Sequence, residues 1–429
     1  MNSARPPAAP NGASSADAGS HASAYARLDA WIDAHFDDEV RFLQALVRIP
    51  TDTPPGDNAP HAEEAAKWLE SYGFDVERHP VPEEEVKAHG LRSITNLVVR
   101  RRYGEGMTVA LNAHGDAVAP GEGWTRNPYG AEVADGRLYG RGAAVSKGDF
   151  ACYAFALRAL EALAAPLGGG VELHFTYDEE VGGELGPAFL LARKLTRPDC
   201  LIAAGFSYQV ITAHNGCLQL EVTVHGRMAH AAIPATGIDA LQGAAAILVA
   251  LYERNRHYRS IASRVPGITH PTLTVGRIEG GTNTNVVPGK VVLKLDRRVI
   301  PEEDPDAVEA EVRRVIAEAA AGVPGIRVEI RRLLLAQAWK PRAGNERLVL
   351  ALRRHAEAVF GEPIPACGTP LYTDVRLYAA AGVPAAIYGA GPRTVLESNA
   401  KRADEHLVLE DLRRATKVVA RTLCDLLNP

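Results

Sequence analysis

The sequence predicts a mostly parallel α/β domain that carries an inserted ferredoxin-like βαββαβ domain. Three observations predict it. Apolar runs of strand length alternate with helically spaced segments between Met107 and Ala204, which reads as an α/β layer around a mostly parallel sheet. Near Cys217 the period changes: Leu218, Leu220, Val222 and Val224 are separated by Gln219, Glu221, Thr223 and His225, the alternation of a half-exposed antiparallel strand. The segments that follow, a helix over Asp239–Glu253, strands over Thr272–Ile278 and Val291–Arg297, a helix over Pro305–Ala320 and a strand over Ile326–Leu334, give the order βαββαβ. With 429 residues, the chain can build a separate core for each domain.

The first 23 residues, rich in Ala, Ser, Pro and Gly, cannot bury enough surface to offset ordering and read as a disordered tail. They lack the apolar stretch of a secretory signal, and their single Arg argues against a transit peptide. From Ala24 to Val47 the apolar residues Leu28, Trp31, Ile32, Phe36, Val40, Leu43, Leu46 and Val47 recur at helical spacing, and Pro50 with Pro54-Pro55-Gly56 closes that segment. Strands are expected over Met107–Asn112, Val171–Tyr177 and Leu201–Ala204, and helices over Ala151–Leu163 and Pro187–Lys194. After the insertion come a helix over Asn345–Phe360, a strand over Pro384–Tyr388 and a closing helix over Glu410–Leu427. The expected division is a tail at 1–23, the α/β domain at 24–216 and 335–429, and the insertion at 217–334.

A net charge of −5 gives no reason to expect nucleic acid or an acidic membrane as partner, and no apolar run approaches the ~20 residues that span a bilayer. The five cysteines, Cys152, Cys200, Cys217, Cys367 and Cys424, are odd in number and lack C-x-x-C spacing. They read as reduced thiols of a cytoplasmic protein.

Ligands of open α/β sheets bind beyond the carboxyl ends of the strands. His114-Gly115-Asp116, the run Asp178-Glu179-Glu180 and Gly205-Phe206 each follow an expected strand. A ligating His commonly passes its other N–H to a carboxylate, which suits His114 and Asp116. Three adjacent carboxylates repel one another unless a cation sits among them, and one as general base beside one as ligand is what metal-assisted hydrolysis uses. Each motif has an ordinary alternative: H-x-D occurs by chance among 14 histidines, acidic runs are usually solvated loops, and His230 alone reads as a structural residue. The glycines around Arg141 and Lys147 do not make a phosphate loop, because the G-x-x-x-x-G-K spacing is absent.

In this order the pieces resemble the dizinc amidohydrolases, the family of aminoacylase, acetylornithine deacetylase, succinyl-diaminopimelate desuccinylase and glutamate carboxypeptidase. HGD at 114–116, LYGRGAAVSKGD at 138–149, YDEEVGG at 177–183, GRMAHAAIP at 226–234, GGTNTNVVPGKVVLKLDRRVIPEED at 280–304, and YTDVRL and YGAG near the end carry the resemblance. It implies His114 as a metal ligand with Asp116 as its orienter, Glu179 as general base and Glu180 as a second ligand. It also implies that Asn285 and Arg298 bind the substrate. His230 would polarise the scissile carbonyl in the active site of the partner subunit, with the insertion as a dimerisation domain. Three implied ligand positions fall on Val145, Phe206 and Lys401, and Val, Phe and a protonated Lys offer no lone pair. Two divalent ions about 3.5 Å apart repel by ~20 kcal/mol at an effective dielectric of ~20, and Val145 cannot bridge them. The expectation is therefore one divalent metal ion, zinc or another transition metal, weakly held or absent, in place of a dizinc centre. The expected function is hydrolysis of a C–N bond in a small carboxylate-bearing substrate by a homodimer. A non-catalytic descendant that binds a small ligand or serves as a subunit is the alternative.

Overall fold

A computed structural model describes residues 15–341 and 343–428. Its larger sheet has eight strands in the order 76–80, 95–102, 170–176, 108–114, 200–203, 385–387, 210–214 and 366–369. The four central strands, Gly170–Thr176, Thr108–His114, Cys200–Ala203 and Ala385–Ile387, run parallel, while Thr95–Arg102 and Val210–His214 join them antiparallel. Gly170–Thr176 is buried at every position, as a strand covered on both faces must be. Helix Gly148–Ala162 is apolar nearly all round and lies between the sheet and helix Leu409–Leu426, so the chain's end closes the core opened by its first third.

The insertion forms its own four-stranded antiparallel sheet, ordered 272–280, 290–299, 216–225 and 327–336, with helices Ala240–Tyr258 and Pro305–Ala321 and a separate apolar core. Strand Gly216–His225 is interior, paired on both sides by Lys290–Val299 and Arg327–Ala336. Its alternation reflects one face packed on the helices and one half-exposed face, and it is not an edge in need of a covering subunit. The edges are Thr272–Gly280, where Ile278 is 51% exposed, and Arg327–Ala336.

Two expectations for the N-terminal region change. A helix begins at Ser15, inside the stretch expected to be a tail, while residues 1–14 lie outside the described residues. The single helix expected to Val47 is two, Ser15–Ala34 and Phe36–Val47. They part at His35, whose Nδ1 lies 2.8 Å from the Trp31 carbonyl oxygen and whose ring stacks on Trp31. A side chain that bonds a helix's own carbonyl competes with the next backbone bond. Among the described residues no helix is long and apolar enough to cross a membrane, and the five cysteines are unpaired.

Candidate functional site

The carboxyl ends of the central strands open onto one cavity of about 280 Å3. Strand Thr108–His114 delivers His114 at its last residue, in register with Thr176. Ser146 fixes it by bonding both the His114 backbone N–H and its carbonyl oxygen at 2.9 Å. Gly115 is required beyond it, because a Cβ there would lie 2.4 Å from the Tyr177 ring. Asp116 is fully buried and accepts from the backbone N–H groups of Glu179 at 3.3 Å and Glu180 at 3.0 Å, so its two oxygens hold the acidic turn in place. The His114 ring turns Nδ1 toward the Asp116 backbone oxygen (3.0 Å) and carboxylate (3.3 Å), and Nε2 toward Glu179 Oε2 at 3.8 Å.

The acidic run follows strand Gly170–Thr176 as a single 3-10 turn over Glu179–Val181. Its end is shaped by Gly182 and Gly183 at φ +118° and +73°. A Cβ on Gly183 would lie 2.2 Å from Asp374 Oδ1. Burial pushes the Glu179 carboxyl above its ordinary range; His114 and Lys401 act against this, while Glu180 and Asp374 add to it. Burial opposes protonation of His114, but Glu179, Asp116 and Glu180 outweigh it and push the imidazole up to about 10. Glu180 is 6% exposed and receives the Lys401 ammonium at 2.5 Å. Lys401 is itself half exposed. Burial works against its charge, yet Glu180 and Glu179 raise it above the ordinary lysine value.

The cavity brings together His114, Glu179, Val145, Phe206, Lys401 and Arg298. Arg298 reaches it from the inserted domain, held by Asp296 at 2.8 Å, with its guanidinium 5.6 Å from the Tyr372 ring centre. His230 and Asn285 do not line it. They lie together and exposed on the insertion, where Ala231 N–H donates to the Asn285 backbone oxygen and His230 pairs with Val286. Among the described residues no three His, Cys, Asp or Glu side chains are grouped so as to hold a metal ion.

Sequence reasoning assigned no role to four residues that shape this site. Asp374 lines the cavity, is 4% exposed, and neither of its oxygens has a hydrogen-bond partner; burial, then Asp178, pushes its carboxyl up. Tyr372 donates to the Glu179 backbone oxygen at 3.2 Å. The third and fourth, Arg141 and Glu405, form a buried ion pair that ties together the loops carrying Ala144 and Lys401. Asp374 sits in the quoted YTDVRL segment, where an acid between a Thr and a helical run was the available signal. The pairing of Arg141 with Glu405 has none, because 264 residues separate them.

Comparison with known families matches residues 110–425 to the peptidase family described as M20/M25/M40. The chain belongs to that family. It is a hydrolase of C–N bonds acting on small substrates, and metal, ordinarily zinc, is the family's usual cofactor. Acetylornithine deacetylase of Edwardsiella ictaluri (strain 93-146) is 34% identical over 243 residues, covering 55% of this chain and 60% of that protein. The Myxococcus xanthus protein of the same name is 29% identical over 388 residues, covering 89% of this chain and 95% of its own. Human carnosine dipeptidase 1 shares the fold, with a TM-score of 0.75 at 18% identity over 94% of this chain and 98% of that one.

Proposed function

We propose that this family member hydrolyses the amide of a small N-acylated amino acid, with Glu179 as general base. One observation carries the reading: of Asp116, Glu179 and Glu180, only Glu179 has a side chain left without a hydrogen bond, and it lines the cavity. Asp116 is spent on two backbone N–H groups and Glu180 on Lys401. A buried carboxylate pushed up toward neutrality is a better proton acceptor in a hydrolytic step than an ordinary one. Glu179 takes a proton from water, the water oxygen attacks the carbonyl carbon, and the same carboxyl returns the proton to the leaving nitrogen. Arg298, a fixed cation in the cavity wall, suits the substrate carboxylate. The name of the deacetylase relatives makes N-acetyl amino acids the first compounds to try.

The donors present do not fit the family's two metal ions. Val145 and Phe206 line the cavity with no lone pair to offer, and Asp116 cannot turn inward without releasing the Glu179–Glu180 turn. A divalent ion on Glu180 would lie about 4 Å from the Lys401 ammonium, a repulsion of ~8 kcal/mol at an effective dielectric of ~20. No step is therefore routed through a metal.

Carbonyl polarisation is assigned to the partner subunit's His230 in a homodimer. Helix Ala240–Tyr258 presents Leu241, Val249 and Tyr252 at 49%, 59% and 44% exposure, and edge strand Thr272–Gly280 lies beside it in the same domain. An apolar helix face beside an open strand edge suits a symmetric partner surface. The unpaired thiols accord with a cytoplasmic location. The test is a panel of N-acyl amino acids assayed with and without chelator, with Glu179→Gln as control. Turnover that falls by about 10²–10⁴ in the variant supports the assignment. Turnover that survives Glu179→Gln removes it, and no turnover of any amide favours a ligand-binding protein instead.

A further inference from the structure

The loop that delivers Lys401 is held in an unfavourable backbone form. Asn399, Lys401 and Asp404 have φ of +52°, +62° and +55°, a conformation that residues with a Cβ adopt at a cost and keep only where their surroundings fix it. Here the surroundings do fix it. Ala400 N–H donates to the Val395 carbonyl at 3.1 Å. Asp404 accepts from the Thr125 backbone and hydroxyl at 3.0 and 2.8 Å. Buried Glu405 pairs with Arg141 and accepts from the Lys401 backbone N–H at 3.4 Å. The product of this clamping is one contact, the Lys401 ammonium 2.5 Å from Glu180. A lysine pointing idly to solvent would not need it.

We propose that the Lys401 ammonium is the resident cation of this site, taking over from a metal ion the task of holding Glu180 and neutralising the acidic turn. Three features converge on this. Lys401 stands where the resemblance places a metal-binding histidine. Val145 and Phe206 remove donors at two further positions of the same cavity. The carboxylate that Lys401 engages is almost fully buried, so an opposite charge must come from within the protein or from a bound ion. A flexible stem with a compact charge can fill that role. The site then needs no divalent ion to fold.

The full-length protein tests this by readouts independent of turnover. Purified without added ions, it should hold well under one equivalent of zinc, manganese, cobalt or nickel by elemental analysis. Its melting temperature should move by less than about 1 °C with 1 mM ZnCl2, MnCl2 or EDTA. Lys401→Gln should melt lower and gain a shift of about 3–8 °C with 1 mM MnCl2 or ZnCl2, because the freed carboxylates now accept a dication. Lys401→Arg, which keeps the charge, should stay insensitive to metal. If Lys401→Gln does not fold, the Glu180→Gln/Lys401→Gln pair should, since it removes charge and counter-charge together. A parent protein holding one or more tightly bound ions overturns the proposal. So does Lys401→Gln melting like the parent with no metal response, or a double variant as unstable as the single one. Failure of the hydrolysis assay would leave all these readouts intact, so the two ideas fall separately.

Discussion

Arg141 and Glu405 form a buried ion pair between two loops that reach the cavity through Ala144 and Lys401. Their side chains are 1% and 2% exposed. Arg141 Nη2 also donates to the carbonyls of Pro120 at 3.0 Å and Arg402 at 3.2 Å, and its guanidinium lies 5.3 Å from the Trp124 ring centre. Glu405 accepts from Ala144 N–H at 3.3 Å and Lys401 N–H at 3.4 Å, so one ion pair joins the glycine-rich loop to the Lys401 loop. Arg141→Met leaves Glu405 buried without its counter-charge, which costs about 3–5 kcal/mol. At ~2–4 °C per kcal/mol, with a body of this size at the lower end, the melting temperature should fall by about 6–12 °C. The loss depends on pH in a definite direction. Burial already raises the Glu405 carboxyl, and removing Arg141 raises it further, so the folded state holds a proton that the unfolded state releases at ordinary carboxylate pH. Stability of the variant therefore falls as pH rises above the unfolded value, and the deficit against the parent should be larger at pH 8 than at pH 5. Arg141→Met/Glu405→Leu should recover at least half of it, since neither member of the pair is then left buried without the other. Differential scanning fluorimetry on the three proteins at both pH values decides the matter. A single variant within about 2 °C of the parent at pH 8, or a double variant no better than the single, refutes the reasoning.

Mixing inactive Glu179→Gln and His230→Ala proteins under conditions that exchange subunits should restore about a quarter of parental activity, since each mixed dimer holds one complete site; no recovery would place His230 outside the reaction. Glu39, fully buried on Thr416 Oγ1 at 2.6 Å, has its carboxyl raised to about 8 by burial. The folded protein therefore loses stability between the ordinary carboxylate range and pH 8, and Glu39→Gln should be more stable than the parent at pH 9 by a few kcal/mol, approximately, in denaturant titrations, and closer to it at pH 6. Gly183→Ala combines a left-handed φ with a Cβ 2.2 Å from Asp374 Oδ1. It should cost about 2 kcal/mol or more and displace the acidic turn, lowering activity beyond what the melting shift explains.

Much of this architecture was written in local periodicity. The alternation of Leu218–His225 and the order of elements after it specify the inserted sheet, because a strand with one buried face must alternate. Helix Gly148–Ala162 and strand Gly170–Thr176 declared themselves as apolar runs because both are covered on all sides. The sequence by itself also placed His114, Glu179 and Glu180 at or just past strand ends, since in a parallel sheet that position is a consequence of chain direction. Strands Thr95–Arg102 and Val210–His214 were not legible. The first ends in three arginines and the second is too short for its period to distinguish it from a helix turn. Only the tertiary structure decided that Leu218–His225 is interior, because pairing partners 65 or more residues away set a strand's place in its sheet. Only it decided the fate of the charges. Which acid stays free depends on Asp116 meeting two backbone N–H groups, on Lys401 reaching Glu180 across 221 residues, and on Arg141 holding the loop that carries it. Contacts of that kind join segments with no periodic relation, and their energies depend on burial, which is a property of the packed chain.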